Sequence, residues 1–304
     1  MSYHMSDEEA RYLKDYDIRK FEQPSVTVDI AVFTLMAEAQ EENGEQDYRK
    51  DPLLSLSLLL IKRGGYPYKG SWALPGGFAK PQEDLEESAK RELQEETSVE
   101  HAYLKPFGTF SKKDRDPRGW IISNGFLALV DAKDYRVHAE TDAWDAKWFR
   151  IQVESEDMKK HVSGDQAEIV TIYRLVLSNA CEDLRLIARV EERRWFIQHH
   201  EKKEYQILES EGFAFDHAQI ILQAFMELRR ETENEGTIVF DLMPEKFTLN
   251  MLQDTYENIL GKPLLTPNFR RKILPYVVET NEKVLGVGHR PAKLFKRNLE
   301  TFYT

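Results

Sequence analysis

The sequence has little of what defines several large classes of protein. Cys181 is the only cysteine among 304 residues, which excludes an internal disulfide framework and a zinc-finger array. The longest apolar run, 56–61, is interrupted by Ser57 and is far too short to span a bilayer. The first residues are polar and acidic, without the apolar core of a signal peptide. We therefore expect a cytoplasmic protein with no membrane contact.

Charge is abundant but unevenly distributed. Hydrophobic residues make up 41% of the chain and charged residues 31%, which is ordinary for about two globular domains. Residues 240–304 hold ten basic and seven acidic side chains, whereas residues 1–239 carry a net charge of −14. A basic C-terminal part favours a polyanionic partner. A surplus of three charges is also compatible with an ordinary solvated surface.

Hydrophobic periodicity predicts a β-rich first domain. Strands are predicted at 26–36, 53–62, 103–110, 120–130 and 147–151, and added β-structure at 168–177, 184–191 and 195–200. A helix over 84–97 begins at Asp84, with Glu87 completing a capping box. It buries a stripe of Leu85, Ala89 and Leu93. A second amphipathic helix is predicted at 215–231.

The character of the sequence changes near the polar, glycine-containing stretch at 232–240, which predicts a domain boundary. Two short helices follow. One runs from a Thr248 cap to Gly261, and the other spans 267–278 with Pro267 at its first position. A hairpin is predicted from residue 284. We divide the chain into an N-terminal segment (1–24), a first domain (25–232, with a β-rich insertion at about 151–211) and a second domain (238–304).

Three glutamates share one face of the helix predicted at 84–97. Glu92, Glu95 and Glu96 are spaced i, i+3 and i+4, which places their carboxylates within about 5–6 Å of each other. Carboxylates this close raise one another's pKa unless a cation lies among them, and clustered hard oxygen ligands suit Mg²⁺ or Mn²⁺. Glu83 can complete the cluster, and Arg91 can hold a carboxylate in place. The spacing of the three glutamates, taken alone, is also compatible with an acidic helix face that is exposed to solvent.

The full spacing resembles the Nudix box. Gly77 is followed after five residues by Glu83, and after seven more by Arg91-Glu92, an aliphatic residue, any residue and Glu95-Glu96. Eight of the nine defined positions match. The resemblance implies an α+β fold, a Nudix α/β/α sandwich with a mixed sheet. It also implies metal-dependent attack of water on a diphosphate that links a nucleoside to another group.

The resemblance assigns roles to the acidic cluster. Glu92, Glu95 and Glu96 would be ligands of Mg²⁺, with Mn²⁺ as an alternative. Glu83 would support the metal site or a bound water, and Arg91 would orient the carboxylates. The metal would neutralise the diphosphate and lower the pKa of the attacking water.

Two features of the Nudix site stay open. Ser98 stands where the family has a glycine that ends the helix in a tight turn, so we expect a local adjustment there. The catalytic base varies within the family. Glu140 or Asp142 is a candidate, and an ordinary surface acid is the alternative for both.

Three flanking segments, 60–78, 115–120 and 213–217, look like the ADP-ribose-binding Nudix group that includes the Nudix-related transcriptional regulators of NAD metabolism. Arginine forks suit phosphate, and Gly76-Gly77 permits close backbone approach. Trp72 or Phe110 is a candidate to stack on adenine, although an aromatic beside a strand is more often part of the core. The candidate substrate-binding residues are Arg63, Trp72, Gly76, Gly77 and Arg118.

The second domain resembles the winged-helix half of the same regulators. It has the order helix, turn, basic helix and hairpin of a small winged helix-turn-helix domain. In such a domain the second helix enters the major groove and the hairpin lies on the DNA backbone. The candidate DNA contacts are Asn268, Arg270, Arg271, Lys272, Arg290 and Lys293. A basic face used for dimer packing is the alternative.

Three functions are compatible with these features. The favoured hypothesis is an Mg-dependent Nudix hydrolase or sensor of ADP-ribose, or a related nucleoside diphosphate sugar, coupled to a winged helix that binds double-stranded DNA and regulates transcription. A second is a pure Nudix pyrophosphatase whose C-terminal domain serves dimerisation. A third is a sensor without turnover. We expect a homodimer, because operators read by winged helices are often palindromic. Residues 151–211 fit a dimer contact or a lid.

Overall fold

The computed structural model describes residues 5–37, 54–97, 102–131, 146–234, 236–284 and 292–302. Helix α1 (Asp7–Asp15) lies in the N-terminal segment and buries none of its residues. No helix in these described ranges is long and apolar enough to cross a membrane.

A mixed ten-stranded sheet follows. Its strands are β1 (Ser25–Ala37), β2 (Leu54–Lys62), β3 (Trp72–Ala73), β4 (Gly76–Phe78), β5 (Tyr103–Phe110), β6 (Ile121–Leu129), β7 (Ala146–Ser163), β8 (Gln166–Asn179), β9 (Leu184–Ile197) and β10 (His200–Glu211). Their order is β10-β9-β8-β7-β2-β1-β6-β5, with β3 paired to β2 and β4 to β1. The β1–β6 pair is parallel, and the other pairs are antiparallel. The expected mixed sheet is confirmed.

Helices cover both faces of this sheet. Alternate side chains of β1 point to opposite faces, so Val28, Ile30 and Val32 pack in one core with α2 (Leu85–Thr97). Ala31, Phe33 and Leu35 pack in the other core with α3 (His217–Asn234). The predicted capping box is present, because the backbone amide of Glu87 donates to Asp84 Oδ1 at 2.8 Å and that of Asp84 donates to Glu87 Oε2 at 2.9 Å.

The predicted β-insertion extends the central sheet. β7 pairs with β2 and continues outward through antiparallel β8, β9 and β10. The prediction of a separate strand at 195–200 is wrong. These residues form the end of β9, the turn and the first residue of β10. The edge strand β10 carries two acidic and two basic residues at 201–204, which discourage pairing with another chain.

The junction predicted at 232–240 is not an exposed polar linker. Helix α3 continues to Asn234, and a 3₁₀ helix, Thr237–Leu242, buries Ile238, Val239 and Phe240. These side chains belong to the same hydrophobic cluster as α3 and the helices that follow. These apolar side chains are buried even though polar residues come just before them. The Nudix part and the C-terminal part of the chain therefore share one hydrophobic core.

The C-terminal part consists of α4 (Leu249–Leu260), α5 (Thr266–Ile273), β11 (Val277–Val284), β12 (Ala292–Arg297) and α6 (Leu299–Phe302). Thr248 caps α4, and Gly261 ends it at φ +67°. Helix α5 is shorter than the predicted 267–278, since Pro275 lacks the amide that would continue it. Pro267 occupies its second position rather than its first. A hairpin is present as β11–β12, but its first strand ends at residue 284, where the predicted hairpin begins. Residues 285–291 between the strands lie outside the described ranges.

Candidate functional site

The acidic cluster on α2 is organised around Arg91, whose side chain is only 18% exposed. Its Nε donates to Glu83 Oε1 at 2.9 Å, and one terminal nitrogen donates to Glu92 Oε1 at 2.7 Å and to Glu95 Oε2 at 3.3 Å. Hydrogen bonds from Arg91 to Glu83 raise the pKa of the guanidinium, which stays charged. The structure therefore brings together four of the five residues predicted for this cluster, and the arginine holds three carboxylates.

The fifth residue, Glu96, is half-buried, and its buried Oε2 atom has no hydrogen-bond partner among the described residues. Burial raises its pKa to about 8, and the nearby carboxylate of Glu92 adds to this effect. A carboxylate in such surroundings is stabilised by a proton or by a cation.

Two glycines shape the backbone under the cluster. A Cβ on Gly77 would lie 2.3 Å from Glu92 Oε1, so a larger residue would displace that carboxylate from its observed position. Gly76 has a φ of +149°, and a Cβ there would lie 2.1 Å from the carbonyl oxygen of Val28. These residues were predicted for close backbone approach, and the structure shows such an approach to β1 and α2.

The donor chemistry of the cluster fits a divalent metal ion. Glu92, Glu95 and Glu96 offer the hard oxygen ligands that Mg²⁺ and Mn²⁺ prefer, and a cation would satisfy the unpartnered Glu96 oxygen. Within the described ranges, no three acidic, histidine or cysteine side chains already converge as a metal cage. Arg91 engages two of these carboxylates instead. The three glutamates stay predicted metal ligands.

A cavity of about 190 Å³ opens beside Gly76 and Gly77 and is lined by both predicted arginines, Arg63 and Arg118. Arg118 is held by Asp116, with Nη2 to Oδ2 at 2.7 Å and Nε to Oδ1 at 3.0 Å. Burial would raise the pKa of Asp116, but the hydrogen bonds from Arg118 outweigh it and lower the pKa. Burial lowers the pKa of Arg63, and the positive charge of Arg118 lowers it further.

Sequence reasoning assigned no role to several groups at this cavity. Arg115 donates two hydrogen bonds to Asp216, at 2.7 and 2.9 Å, and its guanidinium lies 3.6 Å from Asp29 Oδ2. His217 Nδ1 accepts a hydrogen bond from the backbone amide of Leu74 at 2.8 Å. Burial lowers the pKa of His217 and favours its neutral form. Asp29, the one charged residue of the mostly buried strand β1, was the signal that could have indicated this network.

The C-terminal part presents an exposed basic surface on α5. Phe269 and Ile273 are buried and anchor the helix, whereas the predicted contacts Asn268, Arg270, Arg271 and Lys272 are exposed. Arg270 and Arg271 donate long hydrogen bonds, of 3.3 and 3.4 Å, to the side chains of Asn250 and Asn268. Lys293 on β12 is exposed and pairs with Glu279 at 2.7 Å.

Two family models match successive parts of the chain. The family model for the NUDIX domain matches residues 35–171, and the model described as the NrtR DNA-binding winged helix domain matches residues 239–296. The chain joins a Nudix domain to an NrtR-type winged-helix domain. The recognition of this family from its sequence motifs is confirmed, and so is the α+β fold class.

Similarity extends over nearly the whole chain. The ADPR responsive transcriptional repressor NtrR of Acinetobacter baylyi is 29% identical over 300 residues, which cover 97% of this chain and 90% of the relative. A crystal structure of a MutT/nudix family protein from Enterococcus faecalis has a TM-score of 0.64 at 25% identity, covering 97% and 94% of the two chains. Shewanella oneidensis NrtR complexed with a 27mer DNA has a TM-score of 0.57 at 25% identity, covering 91% and 94%.

Both adenine-stacking candidates lie in the core of the Nudix domain. Trp72 is 4% exposed and packs edge-on against Phe149, with ring centroids 4.9 Å apart. Phe110 is 7% exposed and packs edge-on against Phe107. The assignment of Trp72 to substrate binding is therefore corrected, because its indole has no open face and apolar burial decides its position.

Other predicted residues of the two domains lie outside the described ranges. They are Ser98 at the end of the Nudix box, the base candidates Glu140 and Asp142, and Arg290 of the winged-helix hairpin. Their roles stay predictions.

Proposed function

We propose that this protein is a DNA-binding transcriptional regulator that responds to ADP-ribose or a related nucleoside diphosphate sugar. The Nudix domain binds the nucleotide, and the winged helix binds double-stranded DNA. One observation carries the proposal: an arginine-lined cavity and an exposed basic helix occur in one chain and rest on one continuous core. Similarity along 97% of the chain to an ADPR responsive repressor supports it.

Each site matches its ligand chemically. Arg63 and Arg118 supply two guanidiniums to the cavity, and guanidinium forks suit the oxygens of a diphosphate. Glu92, Glu95 and Glu96 would hold Mg²⁺ next to that cavity. When bound, the metal would neutralise the diphosphate and lower the pKa of an attacking water.

Hydrolysis of the bound nucleotide is a second activity that we propose for the Nudix domain. The complete set of box carboxylates favours it, because binding alone does not require all four of them. Arg91 contributes by holding Glu83, Glu92 and Glu95 in fixed positions. Glu140 and Asp142 stay the candidates for the base, and both lie outside the described ranges.

We further propose that the protein is a homodimer in the cytoplasm. Helix α5 of each subunit would enter the major groove, with Asn268, Arg270, Arg271 and Lys272 at the DNA and the β11–β12 hairpin, including Lys293, on the backbone. Two-fold symmetry of the protein would then match a palindromic operator.

Two parallel assays test these functions. Cleavage of ADP-ribose and of a small nucleotide panel is measured with Mg²⁺ for the wild type, Glu95→Gln and Glu96→Gln. Glu86→Gln is the matched control, because Glu86 lies on the exposed side of the same helix and pairs with Lys90. Binding to DNA is measured by selection from randomised duplexes, with and without ADP-ribose.

The outcomes separate the alternatives. Cleavage that is lost in Glu95→Gln and Glu96→Gln but kept in Glu86→Gln establishes the enzyme. Tight ADP-ribose binding without cleavage establishes a sensor. Cleavage without selection of any duplex contradicts the regulator and favours a pyrophosphatase whose C-terminal domain serves dimerisation.

A further inference from the structure

Phe215 adopts an unusual backbone conformation directly before α3. Its φ of +49° lies in the left-handed region, which a bulky side chain occupies at a cost. Both following residues are anchored, since Asp216 accepts two hydrogen bonds from Arg115 and His217 accepts one from Leu74. These anchors hold the strained residue and aim its ring into the arginine-lined cavity.

The ring of Phe215 contacts both arginines of the cavity. The guanidinium carbon of Arg63 lies 4.8 Å from the ring centroid, and that of Arg118 lies 5.3 Å from it. Both distances are within the range of cation–π attraction. The Tyr68 ring packs against Phe215 at 4.7 Å and supports its position.

The two arginines need such a partner, because they carry like charges in a confined space. Arg118 is balanced by Asp116. Arg63 forms no ion pair within 4 Å in the part of the chain that the structure describes, and its Nε donates to the carbonyl oxygen of Pro67 at 2.9 Å. The carboxylates of Asp116 and Asp29 act on Arg63 only from a greater distance. The cavity therefore holds one guanidinium without a directly paired anion, and an anionic ligand would supply that partner.

We propose that Phe215 is a positioning residue that holds Arg63 and Arg118 together for the two phosphates of a diphosphate ligand. The inference rests on the proposed function and deepens it. A single ring in contact with two guanidiniums favours a ligand that engages both of them. The Nudix domain should therefore prefer a nucleoside diphosphate sugar to a nucleoside monophosphate, and this preference should depend on Phe215.

The test measures dissociation constants for ADP-ribose and AMP by calorimetry, without divalent metal. Phe215→Leu keeps an apolar side chain but removes the aromatic ring, and we expect it to weaken ADP-ribose binding about tenfold and AMP binding much less. Phe215→Tyr restores a ring and should restore the affinity. Phe78→Leu is the comparison variant, since Phe78 lines the same cavity but its ring contacts only Arg118 of these two arginines, at 5.5 Å. We expect Phe78→Leu to weaken ADP-ribose binding less than Phe215→Leu does.

A double-mutant cycle separates positioning from a general structural role. If Phe215 acts through the arginines, Phe215→Leu should have little further effect in a protein that already carries Arg63→Gln and Arg118→Gln. Fully additive losses, equal losses for ADP-ribose and AMP, or unchanged affinity in Phe215→Leu would overturn the proposal. Should Phe215→Leu fail to fold, Phe215→Met takes its place in the cycle. A wild type that binds no ADP-ribose contradicts the proposed function instead.

Discussion

The two charged regions of this protein differ in how they hold their charges. In the Nudix box, Arg91 is mostly buried and bonded to three carboxylates. On α5 of the winged helix, the basic side chains are exposed, and Arg270 and Arg271 make long hydrogen bonds to asparagine side chains. A small ligand needs groups that are already oriented, whereas DNA needs charges that can exchange water and counterions for phosphates. The comparison indicates that buried, fixed charges suit the binding of a small ligand, whereas exposed charges suit the binding of DNA.

The largest expected effect comes from removing the exposed charges. Replacement of Arg270, Arg271 and Lys272 by alanine should weaken DNA binding by about a hundredfold or more, because each is proposed to contact a phosphate or a base. Nucleotide binding and cleavage should remain unchanged. Affinity is measured by fluorescence anisotropy on a selected duplex.

A triple variant of exposed lysines on the Nudix sheet controls for net charge. Lys159, Lys160 and Lys203 carry the same total charge but lie on β7 and β10. Equal losses in both triple variants would show that α5 has no special role and would remove the contrast between the two regions.

The half-buried Glu96 of the Nudix box predicts that the stability of the protein depends on pH. The pKa of Glu96 is about 8 in the folded protein, above its ordinary value, so the native state keeps a proton that the unfolded state loses. The resulting stability is complete below the ordinary pKa and is lost as pH rises through about 8. Without metal, we expect the free energy of unfolding to fall by roughly 2–3 kcal/mol from about pH 6 to pH 9.

Glu96→Gln should flatten this pH dependence, and Glu86→Gln should leave it intact. Urea unfolding at several pH values provides the measurement. An unchanged slope in Glu96→Gln would show that another group is responsible.

The effect of salt concentration on affinity should also differ between α5 of the winged helix and the Nudix domain. Arg271→Ala should reduce the slope of log affinity for DNA against log salt by about one, since one phosphate contact and its released counterion are lost. The same substitution should leave the affinity for ADP-ribose unaffected at every salt concentration. A slope identical to the wild type would place Arg271 away from the phosphates.

The smallest effect concerns the helix caps, which are alike in the two domains. Thr248→Ala in the winged helix and Asp84→Ala in the Nudix domain each remove a side-chain acceptor at a helix start, with an expected cost of about 1 kcal/mol. Because the domains share a core, both variants should shift one common unfolding transition in circular dichroism. Two separate transitions would contradict the shared core.

The helix starts were predictable from the sequence because their determinants are local. The Asp84–Glu87 box and the Thr248 and Gly261 caps depend on residues within one turn, and the structure has them where expected. The Nudix box was recognisable because its charged residues keep a fixed spacing on one helix. Local chemistry was sufficient in each case.

Long-range packing was not predictable in the same way. The indole of Trp72 meets Phe149, a partner far along the chain, and this contact removes it from the cavity. The conformation of Phe215 depends on Arg115 and Leu74, which reach its neighbours from other elements. Residues 238–240 are buried because α3 and α4 meet above them, which the adjacent polar residues concealed.

The buried 3₁₀ helix between the domains has a practical consequence for any attempt to divide the protein. A fragment that stops after α3 would leave an apolar surface where Ile238, Val239 and Phe240 now pack. A fragment that begins at α4 would lose the Arg229 side chain, which donates to the carbonyl oxygen of Ile259 at 2.9 Å. Each half would therefore aggregate more readily than the whole, and the DNA-reading module could be exchanged for another only together with the surface on which it sits.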